Sequence, residues 1–445
     1  MKNDNIVAIA TALGASGVAV VRISGASPLL IAEKMFKPSG KTAVKDFAPY
    51  VMYPGVIDCG EFSDFGMVVY FKGPKSFTGE DVVEFQCHGG AVIPQGVVRR
   101  AISLGARLAG PGEYTKRAFM NGKLSLSGAE GLIDMINSQS VAGAKAGFSL
   151  YREKLSREVD RMQSKLLDAL SEIDADMDFP EEDLELDSHD KVKEIIDEVI
   201  LDTQKLISTY RVGRVIKNGV RVGIVGKPNT GKSSLLNALM GYDKAIVSDF
   251  AGTTRDIVEG AIDFKGVRFY FSDTAGIRES SDKIEELGVI LSKKVLDESD
   301  LILFVKDGAD IDQMDKEIED LIKDKNVLTV LNKTDKGDFS HIPADVRVSA
   351  LTKENVDLLK DAVFDKTVGL GIDLNADFLC EERHLSALIR AQEKLVSAKD
   401  NIDAVTLDVL SIDVKDAWEA LGEISGKTAT EEIIDNIFSK FCVGK

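Results

Sequence analysis

The chain contains no run of about 18 apolar residues, so its sequence gives no reason to expect a transmembrane helix. Its first residues, Met1-Lys2-Asn3-Asp4-Asn5, lack the apolar centre of a secretory signal. Cysteine is scarce, limited to Cys59, Cys87, Cys380 and Cys442, and no two of them form a C-x-x-C pair. That pattern argues against a disulfide framework or a zinc knuckle and for a reduced, cytoplasmic protein. Positive charge is in deficit. Lys and Arg number 55 against 73 Asp and Glu, a net charge of −18, so a nucleic-acid partner would have to meet a local basic patch. What the chain does have is 44% apolar content over 445 residues, enough for packed cores in about two to four domains.

The most informative stretch is Gly226-Lys227-Pro228-Asn229-Thr230-Gly231-Lys232-Ser233, which fits G-x-x-x-x-G-K-[ST]. An apolar strand pattern, Val220–Val225, precedes it, and a helical pattern from Ser234 follows. In that context the glycines let the backbone turn so that successive N–H groups line a concave nest for phosphate oxygens. The helix adds its positive N-terminal end. Lys232 reaches the outer phosphates, and the Ser233 hydroxyl suits magnesium.

Periodicity divides the rest. Residues 1 to about 120 mix strands (6–10, 18–23, 67–71) with a helix over 91–104, an α+β domain. Residues 121–215 read as helical. Leu155, Val159, Met162, Leu166, Leu170 and Ile173 form one stripe, and Val192, Ile195, Val199 and Leu206 form another. An acidic loop, Asp174 to Asp190 with Pro180, is expected between them. Residues 216–376 alternate strands (258–264, 267–272, 301–305, 327–331) with helices, as in a mostly parallel sheet covered on both faces. From 377 to 445 the helical pattern returns through Leu385, Leu388, Ala391, Leu395, Ala398 and Ile402, then Leu407, Leu410, Val414 and Leu421. The expected architecture is therefore multidomain, α/β and α+β, with a Ras-like P-loop domain inserted between two halves of a helical domain.

Further motifs follow the P-loop in order. Gly252-Thr253-Thr254-Arg255-Asp256 offers Thr254 to magnesium. In Asp273-Thr274-Ala275-Gly276, Asp273 suits the magnesium water shell and the Gly276 N–H suits the γ-phosphate. In Asn332-Lys333-Thr334-Asp335, the Asp335 carboxylate can accept from the paired donors of guanine, which adenine lacks. Ser349-Ala350-Leu351 offers N–H groups to the guanine oxygen. Each motif is short, and their shared order and spacing specify a GTPase. After D-x-x-G, where Ras-like proteins carry a water-orienting glutamine, Ile277 has no hydrogen-bonding group. Either hydrolysis is slow or another group supplies the function. Glu285 is the candidate, among several neighbouring acids.

These residues, with others along the chain, carry a family resemblance. The chain resembles, essentially end to end, the bacterial MnmE (TrmE) family of tRNA-modification GTPases. The shared features are Val21-Arg22-Ile23-Ser24-Gly25, Phe77-Thr78-Gly79-Glu80-Asp81, His88-Gly89-Gly90, Pro111-Gly112-Glu113, Arg117-Ala118-Phe119, Asn121-Gly122-Lys123, Asp178-Phe179-Pro180-Glu181-Glu182 and the ending Phe441-Cys442-Val443-Gly444-Lys445. The resemblance implies a homodimer formed through the N-terminal domain. It also implies a heterotetramer with a flavin-dependent partner, MnmG or GidA, that adds an aminomethyl or carboxymethylaminomethyl group to carbon 5 of the wobble uridine of tRNA.

By position, the resemblance places 5-formyltetrahydrofolate or a related tetrahydrofolate on Arg22, Glu84, Lys123 and Lys445. Basic side chains suit its carboxylates, and a carboxylate suits the pterin edge. A potassium ion falls on Asn229, Ser248, Phe250 and Thr253, and magnesium on Ser233 and Thr254. GTP contacts extend over Asn229 to Ser234, over Ser248, Asp249, Phe250, Ala251, Gly252, Thr253 and Thr254, over Asp273, Thr274, Ala275 and Gly276, and over the two guanine loops. Glu285 matches the family's water-orienting glutamate. Three departures stand out: Ala12-Leu13-Gly14-Ala15 in place of a Pro-Pro-Gly turn, Ser125 in place of Asp, and Val443 in place of Ile. Cys442 reads as structural or tRNA-proximal, with no base identifiable beside it. The rival readings are a ribosome-assembly GTPase, for which no G-x-x-G RNA module is evident after residue 377, and a regulatory GTP switch.

Overall fold

The computed structural model describes residues 4–12, 14–178, 185–241, 260–273, 295–311, 313–369, 373 and 376–444. Two compact units emerge. One comprises residues 1–133, 149–200 and 387–445, and the other residues 134–148 and 201–386.

The first unit opens with a seven-stranded sheet in the order β3-β4-β5-β6-β2-β1-β7. Its strands are β1 (Asn5–Ile9), β2 (Ala19–Gly25), β3 (Phe36–Pro38), β4 (Met52–Asp58), β5 (Ser63–Phe71), β6 (Asp81–Cys87) and β7 (Ala106–Leu108). The sequence pattern anticipates β1, β2, the second half of β5 and the helix at Val92–Ser103. It misses β3, β4, β6 and β7. Alternation explains the layers: Val7, Val21, Ile23, Ile57, Val68, Val83 and Phe85 bury against the helices Pro28–Met35 and Val92–Ser103. On the other side, Ile6 and Ala8 pack with Ala109 and Tyr114. The β4–β5 end of the sheet leaves Met52, Val56, Phe65 and Met67 exposed, with Val56 opposite Phe65.

The helices Lys154–Asp178, Glu382–Asn401 and Leu407–Ser425 follow their apolar stripes. Val159, Met162, Leu166, Ile173, Leu388, Leu395, Val414 and Leu421 are buried. The acidic run begins helical, because the helix continues through Asp178 before the Pro180 region. Asp174 is exposed there, so the acids cost the helix no burial. In the helix Glu185–Ser208 the buried face is Val192, Ile196, Val199 and Thr203, while Ile195 is half-buried.

The second unit holds a six-stranded sheet in the order β13-β12-β11-β8-β10-β9. Its strands are β8 (Val220–Val225), β9 (Gly260–Phe264), β10 (Val267–Asp273), β11 (Leu301–Asp307), β12 (Val327–Asn332) and β13 (Val346–Arg347). All pairs are parallel except β9–β10, a hairpin whose two-residue turn, Lys265-Gly266, has both φ angles positive. β11 is buried at every position, as a central parallel strand should be. Residues 134–148, N-terminal to the inserted sheet by some seventy positions, pack with it. Ala142 belongs to its apolar core, the Ala142 N–H donates to Gly266 O at 3.0 Å, and the Tyr270 hydroxyl meets Gln139 Oε1 at 2.9 Å. Among the described residues no helix is long and apolar enough to cross a membrane.

A polar network fastens Asp4 and Glu80, just before β1 and β6, to the helix Glu113–Met120. Arg117 donates to Asp4 Oδ1 (2.7 Å), Glu80 Oε1 (3.0 Å) and Glu113 Oε1 (3.0 Å), and Arg107 donates to Glu113 and Asp4. Burial opposes ionisation of Glu113. The Arg107 guanidinium, the Gly110 N–H and Arg117 overcome it and hold the carboxyl at about 2, against 4.5. Removing Arg117 takes away Glu80's cation and leaves Asp4 and Glu113 to share Arg107 alone. Arg117→Met should therefore cost about 3 kcal/mol in urea unfolding at neutral pH. Because the Glu113 pKa is depressed on folding, its stabilisation is complete above pH 4.5 and fades as pH falls towards about 2. The gap between wild type and Arg117→Met should narrow over that window.

Candidate functional site

The described nucleotide motifs lie at the C-terminal ends of β8, β10, β12 and β13, the edge where open parallel sheets bind ligands. The P-loop runs from β8 into the helix Lys232–Met240. Its start presses on β11: a Cβ at Gly226 would lie 2.3 Å from Val305 O. Ser233 and Ser234 are exposed at the helix N-terminus, with Lys232 buried behind them. Lys232 Nζ donates to Gly226 O (2.8 Å) and Lys227 O (2.9 Å), and the Thr230 hydroxyl donates to Lys227 O (3.0 Å). The loop is thus closed on itself by its own lysine.

Asn332, at the end of β12 and 1% exposed, joins this loop to the segment that carries Ser349-Ala350-Leu351. Its Nδ2 donates to Thr230 O (2.9 Å), and its Oδ1 accepts from the Ala350 N–H (3.1 Å). Gly231 must be glycine for this to occur. Its φ is +90°, and a Cβ there would stand 2.5 Å from Asn332 Nδ2. Lys333, in the left-handed region at φ 63°, donates from Nζ to Asn229 O (2.6 Å) and to Asp307 Oδ2 (2.7 Å). Asp335 is exposed, and its Oδ1 accepts from the buried Ser349 hydroxyl at 2.6 Å, which orients the carboxylate. Leu351 is 82% exposed beside it. Asp273 closes β10 opposite Ile224.

Ser248, Asp249, Phe250, Ala251, Gly252, Thr253, Thr254, Thr274, Ala275, Gly276, Glu285 and Lys445 lie outside the described residues. The exposed Ser233 hydroxyl at a helix N-terminus, beside Lys232, fits one magnesium ligand.

Two participants escape the sequence motifs. Asp307 ends β11 and is nearly buried. Burial works against its charge, yet the Lys333 ammonium and the Ala309 N–H hold its carboxyl below the usual range. Lys227, inside the P-loop, pairs with Asp315 and Asp310. A carboxylate closing a parallel strand was the available signal for Asp307. Nothing local marked Asp315, because its partner lies 88 residues earlier.

In the N-terminal sheet the structure brings Arg22 and Glu84 face to face. They are register partners on β2 and β6, with Arg22 Nε donating to Glu84 Oε1 at 2.7 Å. The guanidinium lies 5.7 Å from the ring centres of both Phe77 and Tyr114. Lys123 Nζ donates to Pro74 O (2.9 Å), and Asn121 Nδ2 donates to Thr78 O (2.7 Å). Arg22 and Lys123 therefore approach one loop, 72–80, from different elements. The C-terminal segment returns here as well: the Gly112 N–H donates to Cys442 O (3.4 Å), and Gly444 packs against Ile9 O, where a Cβ would come within 2.2 Å. Cys442 is exposed.

Comparison with known proteins identifies the family. A family profile described as "MnmE helical domain" matches residues 126–442, and one described as "GTP-binding protein TrmE N-terminus" matches residues 5–123. Proteins named tRNA modification GTPase MnmE match over 100% of both chains. The one from Desulforamulus reducens is 40% identical, and those from Natranaerobius thermophilus and Caldicellulosiruptor saccharolyticus are each 38% identical. Among solved structures, Era in complex with MgGDPNP and nucleotides of 16S ribosomal RNA is 33% identical over 39% of this chain and 66% of that one, with a TM-score of 0.28. With its N-terminal domain, its helical domain and its full length all matched, the chain belongs to the MnmE family of tRNA modification GTPases.

Proposed function

We propose that this chain hydrolyses GTP to drive modification of the wobble uridine of tRNA. It works in the cytoplasm with a flavin-dependent partner of the MnmG (GidA) kind, adding an aminomethyl or carboxymethylaminomethyl group at carbon 5. The observation that carries the reading is the Asn332 amide, which ties the phosphate loop to the guanine-recognition loops. The functional division is 1–120 for folate and dimerisation, 121–215 and 377–445 for the helical domain, and 216–376 for GTP. The test is nucleoside analysis of tRNA from a deletion strain. The wobble modification should vanish and return with the wild-type gene. It should not return with Asp335→Asn, whose amide donates where guanine recognition needs an acceptor. Unaltered nucleosides in the deletion strain would refute the reading.

GTP occupies the nest from Asn229 to Ser234, with Ser233 and Thr254 on magnesium and Asp335 on guanine. Potassium, on Asn229, Ser248, Phe250 and Thr253, supplies positive charge at the phosphates. Glu285 orients water, since Ile277 cannot. Turnover at saturating GTP should therefore be faster in potassium than in sodium at equal ionic strength. Glu285→Ala should lower it by about 100-fold or more with little change in nucleotide affinity. Equal rates in the two salts, with Glu285→Ala near wild type, would remove both assignments.

The N-terminal domain takes a reduced folate, which supplies a one-carbon unit when bound. Arg22, Glu84, Lys123 and Lys445 hold it, supported by the Arg22–Glu84 pair and by Phe77 and Tyr114 beside the guanidinium. The same domain forms the homodimer, and the exposed strip Met52, Val56, Phe65 and Met67 is an apolar surface suited to that contact. Calorimetry with 5-formyltetrahydrofolate should show weaker binding after deletion of the last four residues, with equal affinities excluding Lys445. Light scattering at micromolar concentration should read a dimer, and a monomer would exclude the interface.

A further inference from the structure

The end of β11 and the residues after it reach the P-loop through three carboxylates, Asp307, Asp310 and Asp315. Asp307 does so through Lys333, whose ammonium also holds Asn229 O. Asp315, in the first turn of the helix Gln313–Ile322, does so through Lys227. The second link is the more enclosed. The Lys227 side chain is 4% exposed and that of Asp315 is 1% exposed, with Nζ and Oδ2 3.3 Å apart. Asp310, at the same distance, is 70% exposed and so a weaker counter-charge.

An ammonium this buried at a variable position of a phosphate loop needs a reason, because a surface lysine there would cost nothing to desolvate. The main chain of Lys227 supplies that reason. Its carbonyl accepts both Lys232 Nζ (2.9 Å) and the Thr230 hydroxyl (3.0 Å). Pinning the Lys227 side chain to Asp315 fixes the peptide that holds the phosphate-contacting lysine and the turn before Gly231. We infer that Asp315 is a positioning residue for the nucleotide site, acting through Lys227 to hold the main chain of the phosphate-binding loop in place. The inference rests on the GTPase reading of the same site. It adds a contact from outside the sequence motifs.

The mechanism has a specific signature. Without Asp315, the Lys227 ammonium keeps only the exposed Asp310 as a counter-charge and is drawn outward towards it and water, and the loop shifts with it. Without both charges, an apolar pair fills the space and the loop has no reason to move. Titration of the full chain with fluorescent GDP should show Asp315→Asn binding about 10- to 100-fold more weakly than wild type. The double variant Lys227→Met/Asp315→Leu should recover most of that loss. Turnover of Asp315→Asn at saturating GTP should fall less than its affinity, since the bound nucleotide restores the loop. Glu319→Gln, on the same helix but paired with Lys306 rather than the P-loop, should bind GDP as wild type does. Should Asp315→Asn not fold, Asp315→Glu and the double variant carry the test, with a modest loss and near-wild-type binding expected. Three results would overturn the inference: GDP affinity of Asp315→Asn within about twofold of wild type, losses in the double variant equal to or larger than those of Asp315→Asn, or an equal loss in Glu319→Gln. Wild-type binding in the same titration tests the GTPase reading separately.

Discussion

One buried amide holds the nucleotide edge together. Asn332 spends both ends of its side chain, one on Thr230 O in the phosphate loop and one on the Ala350 N–H in the base loop. At 1% exposure, neither end has water as an alternative partner, so misplacing either loop leaves a buried polar group unsatisfied. The P-loop and the Ser349–Leu351 segment are thereby set in one frame. Lys333 repeats the device from the next residue by tying Asn229 O to Asp307, and Ser349 sets the Asp335 carboxylate. The motifs read as separate words in the sequence, but in the fold they form one hydrogen-bonded piece.

The insertion of this piece into a helical chain has a less obvious consequence. The compact unit built on the nucleotide sheet also includes residues 134–148 and 201–219, on the N-terminal side of the P-loop. Gln139 and Ala142 hold the β9–β10 hairpin at Tyr270 and Gly266. That hairpin runs from shortly after Thr254 to Asp273, so this stretch of the nucleotide domain is itself anchored by a part of the chain that periodicity assigns to the helical domain.

In the N-terminal sheet charge is handled differently. Arg117, Arg107, Asp4, Glu80 and Glu113 form a half-buried lattice whose members compensate one another. Arg22 and Glu84 form a separate partly buried pair with aromatic rings at hand. The first arrangement fastens β1 to the helix that follows β7. The second leaves a cation and a carboxylate at a surface that the C-terminal segment approaches through Gly112 and Ile9.

The phosphate loop between its strand and helix, the strand–helix alternation of the nucleotide domain with its mostly parallel sheet, and the long amphipathic helices were legible in the sequence. Each depends on contacts within a few residues: a glycine where φ must be positive, a hydroxyl after a lysine, an apolar residue every three or four positions. Short strands such as β3 and β7 were not, because three residues carry no usable period. The acidic stretch from Asp174 was read as a loop, although acids on an exposed helical face leave the helix intact. Asp307, Asp315 and the packing of residues 134–148 on the inserted sheet were invisible for a different reason. Their partners lie 26, 88 and more than a hundred residues away, and sequence spacing says nothing about which distant side chains share a space. The sequence by itself determined which chemistry the chain carries. Tertiary packing alone decided which buried charges hold that chemistry in place, because a buried ion must be paired wherever in the chain its counter-charge lies.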